Sequence, residues 1–228
     1  MTGAHTSRRQ LDVRTARISD LGASLDETFV GRTFARHRRG AILYSQGDPA
    51  DSVIYLKEGK VRLTVLCPTG KQGTIAIVDH GKLLGEGCLA GQLKRLETAT
   101  AMVDTAVVRV EKSEMMHLLQ HDTSLAVRFL DYALARSILI EENLVDQLLN
   151  SSEKRLARLL LSLSHFDAES EKSESVIPPI SQKTLAEMIG TSRERVNFFM
   201  NKFKQKGYIT YRDGIWVRRS LLLVLLRE

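Results

Sequence analysis

Cysteine is scarce: Cys67 and Cys88 are the only two in 228 residues. They cannot make a disulfide framework, a CxxC pair or a four-sulfur metal site, and this usage suits a reducing cytoplasm. Long apolar runs are also missing. The longest uninterrupted one is Leu221 to Leu226, far short of the roughly 18 residues a membrane span needs. The first 30 residues are polar and Arg-bearing, without the apolar stretch of a secretory leader. No nucleophile elbow, phosphate loop, metalloprotease pair or kinase signature occurs. Glu141 and Glu142 are adjacent on a helix and point about 100° apart, so they do not form a carboxylate dyad. The expectation is a cytoplasmic, non-enzymatic protein with no membrane partner, no metal and no evident cofactor.

The charge that is present is unevenly placed. Residues 180–219 hold nine basic and three acidic residues, an excess of +6 that equals the net charge of the whole chain. Residues 1–39 carry +4 and residues 40–179 carry −4. Such asymmetry points to a polyanion partner for the 180–219 segment, although charge alone does not separate that from a merely soluble surface.

Patterning divides the chain into three parts: 1–120, 121–150 and 151–228. After an N-terminal arm, residues 34–111 read as short strands separated by Gly-rich turns. The strands are Ala41–Tyr44, Ser52–Lys57, Lys60–Leu66, Gly73–Val78, Glu97–Met102 and Thr105–Glu111, and several alternate as Val61, Leu63 and Val65 do. Many short strands at this spacing predict an all-β sandwich or roll. A short helix follows at Ser113–Gln120, then a long one from Thr123 to Asn150 without Gly or Pro. Ala126, Leu130, Ala133, Ser137, Ile140, Leu144 and Gln147 recur at intervals of four and three, the spacing of a helix–helix seam. Leu125, Phe129, Tyr132 and Leu139 form a second face, free to pack on the β domain. A helix apolar on two sides has two partners, so the seam is read as a dimer interface; a core helix within one subunit is the alternative. A third helix spans Ser152–Phe166, and Asp167–Ser175 reads as an exposed loop.

The chemistry concentrates in residues 180–206, ISQKTLAEMIGTSRERVNFFMNKFKQK. Ser181 can cap a first helix that Gly190 stops, and Thr191 with Glu194 has the spacing of a capping box for a second. Val196, Phe199, Met200 and Phe203 make the buried stripe of that second helix, leaving Arg193, Glu194, Asn197, Phe198 and Asn201 outward. This is a helix-turn-helix whose second helix carries groups able to read base edges: Arg for guanine, Glu for cytosine N4, Asn for adenine. Tyr208–Tyr211 and Ile215–Val217 around Asp213-Gly214 form a hairpin wing. Residues expected at DNA are Ser181, Gln182, Thr191, Ser192, Arg193, Glu194, Asn197, Phe198, Asn201, Lys202 and Arg212. The competing reading is a ligand-binding or scaffold dimer whose winged helix contacts protein.

The segments GAILYSQGD at 40–48, VIYLKEGKVRL at 53–63, LLGE at 83–86, the long helix and LAEMIGTSRERV at 185–196 resemble the catabolite-activator/fumarate-nitrate-regulator (Crp/Fnr) family of bacterial transcription factors. The resemblance covers about residues 30–218. It implies an α+β fold: an N-terminal cyclic-nucleotide-binding-type β-roll, a long dimerisation helix and a C-terminal winged helix-turn-helix. It also implies a homodimer on a palindromic operator in double-stranded DNA, in contact with RNA polymerase. Its effector pocket would include Gly85, Glu86, Arg95, Glu97, Thr98, Arg136 and Ile140.

Departures from the pattern bear on the effector. Gly85-Glu86 and Thr98-Ala99 match cyclic-nucleotide-binding members, but the phosphate-neutralising Arg is replaced by Glu97, and Arg95 lies two residues earlier. The adenine-reading Thr-Ser pair of the long helix falls at Ile140 and Glu141. A carboxylate facing a phosphate adds repulsion, so Glu97, Ile140 and Glu141 disfavour cyclic AMP. Two cysteines are too few for an iron–sulfur sensor. His80, the Cys67 and Cys88 thiols and the His117/His121 pair read as surface, packing and a solvated helix end. On the recognition helix, Phe198 stands where the family has a second Arg; it is either a thymine-methyl contact or a packing residue.

Overall fold

The computed structural model describes residues 32–164, 173–177 and 180–226, so the N-terminal arm and the proposed loop as far as residue 172 lie outside the described residues. Contacts divide the chain into two compact units that part within one long helix, after Leu139.

In the first unit, strands β1 (Arg32–His37), β8 (Thr105–Glu111), β3 (Ser52–Glu58) and β6 (Leu83–Leu84) form one antiparallel sheet in that order. Strands β2 (Ile42–Tyr44), β7 (Thr98–Ala101), β4 (Lys60–Leu66) and β5 (Gln72–Asp79) form the other. Alternation explains how β3 serves two cores. Ile54 and Leu56 join Val61, Leu63, Ala99 and Val107 between the sheets, while Val53 and Tyr55 join Met115, Leu125 and Tyr132 beneath the helices α1 (Lys112–His121) and α2 (Thr123–Leu149). Gly59 closes the β3–β4 turn at φ 97°, where a Cβ would run into the backbone of Thr105. Two strands went unforeseen. β1 is polar and becomes a strand by pairing with the distant β8 (Arg32 opposite Val110), and β6 is only two residues long.

Along α2, Leu125 and Tyr132 are buried and Phe129 half-buried against the β unit, as the second face required. Leu139, assigned to the same face, is instead exposed. Within the seam, Leu130, Ser137, Ile140 and Leu144 are exposed, whereas Ala126 and Ala133 are half-covered beside the packed face. Val127, Leu134, Ile138, Val145 and Leu148 also stand out to solvent, so the exposed apolar surface sits about one residue round the helix from the expected line.

The second unit contains α3 (Ser152–Leu163), α4 (Gln182–Ile189), α5 (Arg193–Gln205), α6 (Leu222–Leu225) and a sheet of β10 (Ile209–Tyr211), β11 (Ile215–Arg218) and β9 (Glu174–Ile177), in the order β10-β11-β9. Its core joins Leu156 and Leu160 of α3 to Leu185, Ile189, Val196, Phe203 and Val217. Glu174 and Ser175, read as loop, are strand. Glu174 lies opposite Arg218 and accepts from both Arg212 and Arg218, a cross-strand pairing that local composition does not reveal. The end of α2 is fastened into this unit. Gln147 Nε2 donates to Met188 O at 3.5 Å, Arg155 Nη1 to Gln147 O at 2.9 Å, and Asp146 pairs with Arg158. Gln147 therefore takes part in the helix junction. Among the described residues, no helix is long and apolar enough to cross a membrane.

Candidate DNA interface and β-roll site

The helix-turn-helix is built by local rules. Ser181 caps α4, its Oγ accepting from Thr184 N at 3.0 Å. Gly190 ends α4 at φ 64°, ψ 47°, the left-handed conformation that closes the turn. The cap of α5 is Ser192, not Thr191: Ser192 Oγ accepts from Arg195 N at 3.3 Å. The Thr191 amide is already spent on Ala186 O at 3.0 Å, closing the preceding helix, and this moves the start of α5 one residue on. Glu194 in the first turn keeps a lowered carboxyl pKa because its own amide and the Ser192 side chain hydrogen-bond it.

Val196, Phe199, Met200 and Phe203 of α5 are buried, and Arg193, Glu194, Asn197, Phe198 and Asn201 are exposed, as the periodicity required. Phe198 is 65% exposed, edge-on to Phe199 with ring centroids 5.6 Å apart. The amides are not independent. Asn197 Oδ1 accepts from Gln182 Nε2 at 3.3 Å and Asn201 Nδ2 at 3.5 Å, which leaves the Asn197 NH2 group to donate outward. Asn197 in this arrangement suits an acceptor such as guanine O6 or thymine O4 better than the two-point adenine contact expected from sequence.

Two of the side chains expected at DNA are paired within the protein. Lys202 Nζ lies 2.7 Å from Glu153 Oε2, tying α5 to α3. Arg212 Nη1 lies 3.1 Å from Glu174 Oε1, and its guanidinium covers Trp216 with 5.0 Å to the ring centroid. Both carboxylates are distant in sequence, so nothing local signalled the pairs.

In the β-roll, Arg95 is 4% exposed. Its Nη2 donates to Ser52 O at 2.7 Å and Ser52 Oγ at 3.0 Å, its Nη1 to Gly85 O at 3.1 Å, and its guanidinium sits 4.6 Å from the Tyr44 ring centroid. Gly85, at φ 72°, has no room for a Cβ beside Arg95 Nη1. Glu86 Oε1 pairs with Arg136 Nε of α2 at 2.9 Å. Burial pushes the Glu86 carboxyl pKa up although Arg136 pulls it down. Burial alone would lower Arg136, but the Glu86 charge, the Tyr132 oxygen with its hydrogen bond and the Glu97 charge together outweigh it and hold the guanidinium pKa above its usual value. Glu97 accepts from Tyr44 Oη at 2.8 Å, and burial followed by the Glu97 charge raises the Tyr44 phenol. Thr98 Oγ1 accepts from Gln46 N at 2.9 Å. Gly85, Glu86, Arg95 and Arg136 are thus brought together, with Glu97 joined to Arg95 through Tyr44; Ile140 is exposed. Sequence reasoning missed Tyr44, Ser52 and Tyr132, whose hydroxyl donates to Leu83 O at 3.1 Å. Ser52 and Tyr132 lie outside the quoted segments, and Tyr44, inside GAILYSQGD, carries no charge that would mark it.

A β-roll with a helix-turn-helix and wing defines a two-part DNA-binding regulator. Residues 35–122 match the cyclic nucleotide-binding domain and residues 154–222 the Crp-like helix-turn-helix domain. The chain is 23% identical over 172 residues to a CRP-like cAMP-activated global transcriptional regulator of Mycobacterium tuberculosis, covering 75% of this chain and 77% of that one. It is 29% identical over 188 residues to the cyclic AMP receptor protein of Thermus thermophilus, covering 81% and 83%. In fold it is similar to FixK2 from Bradyrhizobium japonicum, with TM-score 0.72, 19% identity and coverage of 86% and 96%. The chain belongs to the Crp/Fnr family and is a Crp-like transcriptional regulator.

Proposed function

We propose that the chain works in the cytoplasm as a homodimer on a palindromic operator, in contact with RNA polymerase, and that its β-roll does not take cyclic AMP as effector. The observation that carries the dimer is the row of exposed apolar side chains on α2, Val127, Leu130, Leu134 and Ile138, continued by Leu144, Val145 and Leu148. Few soluble chains leave such a stripe in water, and a second copy of the same helix covers it by two-fold symmetry. Two recognition helices related by that axis call for inverted half-sites. Cyclic AMP, which activates the named mycobacterial relative, is opposed by the Glu97 carboxylate and by an Arg95 guanidinium already committed to Ser52 and Gly85.

Selection from random-sequence duplexes tests the reading. Enriched sites should be inverted repeats with a G·C pair for Arg193 and Glu194 in each half, and light scattering should find two chains per duplex. A single asymmetric site bound by one chain contradicts it. A ligand at 100 times its dissociation constant adds about 2.7 kcal/mol, so a clear melting shift with sub-millimolar cyclic AMP would overturn the effector part.

A further inference from the structure

We propose that the β-roll pocket is a guanidinium-binding site filled from within the chain by Arg95, so that DNA binding needs no small molecule. The inference rests on the DNA-binding reading and deepens its effector part. Five features recognise this cation class. Two carbonyls, Ser52 O and Gly85 O, accept from different terminal nitrogens of the fork. The Ser52 hydroxyl adds a third bond, Asp51 Oδ1 stands 3.8 Å from Nη2, and Tyr44 offers its ring face. A planar fork over an aromatic face, with acceptors in its plane, is how guanidinium groups are held; an ammonium has no such plane. The backbone delivers the side chain: Arg95 N donates to Asp48 O at 2.8 Å and Gly47 N to Arg95 O at 2.9 Å, fixing residue 95 against the β2–β3 turn. Gly85 is required twice, for its positive φ and because a Cβ would occupy the space of Nη1.

The occupant is connected to the long helix. Gly85, whose carbonyl Arg95 holds, caps the short turn Glu86–Ala90. Glu86, at the start of that turn, holds Arg136 of α2 at 2.9 Å, and Arg136 and Tyr132 both reach Leu83 O. A ligand ordering this turn would hold α2 in place, and Arg95 does the same from within. Arg95 is in this sense a positioning residue acting through Gly85 and Glu86.

The test uses the full-length chain and a duplex selected with the wild type, with thermal melting and duplex affinity as the two readouts. Wild type should bind without additive and be indifferent to millimolar methylguanidinium. Arg95→Ala should bind about tenfold more weakly or worse, since three charge-assisted bonds are lost. Methylguanidinium should restore its affinity and raise its melting temperature, and equal methylammonium should do neither. Arg95→Lys keeps stem and charge, and serves if the alanine variant does not fold. It should stay weak and unrescued, because one ammonium cannot span both carbonyls in plane. A folded Arg95→Ala that binds DNA as wild type does, or that methylguanidinium neither stabilises nor restores, overturns the proposal; so does an Arg95→Lys that behaves as wild type. A wild type that binds no duplex sinks the DNA-binding reading instead, and the melting arm still decides the guanidinium site.

Discussion

Replacing Leu130 with Asp should break the dimer without unfolding the chain. Leu130 and Leu134 are 57% and 54% exposed on α2, so each has roughly half its apolar surface to cover with a partner. Full burial of such a side chain is worth about 1.5–3 kcal/mol, which leaves about 1 kcal/mol per copy for the interface. An aspartate there loses that term and leaves an unpaired charge in an apolar seam, costing about 3 kcal/mol or more. Two-fold symmetry places the change twice, for a total near 8 kcal/mol. At 1.4 kcal/mol per decade this weakens association by about six orders of magnitude, taking a nanomolar dimer out of the micromolar range. Light scattering at micromolar concentration should give a dimer for wild type and a monomer of unchanged circular dichroism for Leu130→Asp. Leu66→Asp, on a side chain 56% exposed at the end of β4, should leave assembly unchanged. A wild-type monomer, or a Leu130→Asp dimer, would refute the seam.

Phe198 has no group to donate or accept, so its expected target is a thymine methyl. Replacing dT by dU at one position of each selected half-site should weaken wild type severalfold and leave Phe198→Ala unaffected; equal sensitivity of the two proteins would assign Phe198 no such contact. Lys202→Ala should lower the melting temperature through loss of the Glu153 pair while changing the salt dependence of duplex binding little. At the wing, Trp216 Nε1 donates to Asp213 Oδ1 at 2.8 Å, which together with the Asp213 backbone holds that carboxyl pKa below the usual aspartate range. A lowered folded pKa means the contribution is present above the unfolded pKa and is lost as pH falls through the folded one. Fluorescence of Trp216, the only tryptophan in the chain, should therefore change with a midpoint below the ordinary aspartate value, and Asp213→Asn should abolish that transition.

Local signals were legible in the sequence and long-range ones were not. The stripe of α5 lies within one element, and its residues appear where the period places them. The alternation of β4 holds for Val61 and Leu63 and then breaks at a register shift that buries Thr64 and leaves Val65 half-buried. β1 exists because β8 pairs with it from more than 60 residues away, and β9 because β11 does. Ser181 and Gly190 cap by composition, but the start of α5 depended on where the Thr191 amide was already bonded. The same divide runs through the sites. Arg193, Glu194 and Phe198 were readable as exposed. The commitments of Lys202 to Glu153, Arg212 to Glu174 and Arg95 to Ser52 join residues 38 to 49 positions apart, which no spacing rule reports.

Salt dependence of binding to the selected duplex tests the central claim most directly. Lys183, Arg193, Arg195, Lys204 and Lys206 are exposed on the helix-turn-helix unit, and a dimer presents them twice. With about six phosphates neutralised, the logarithm of the affinity should fall with the logarithm of salt at a slope near −5. Arg193→Ala should cost about 1–3 kcal/mol and relax one base position in each half-site. A flat salt response, with Arg193→Ala indistinguishable from wild type on every sequence, would contradict a recognition helix in the major groove.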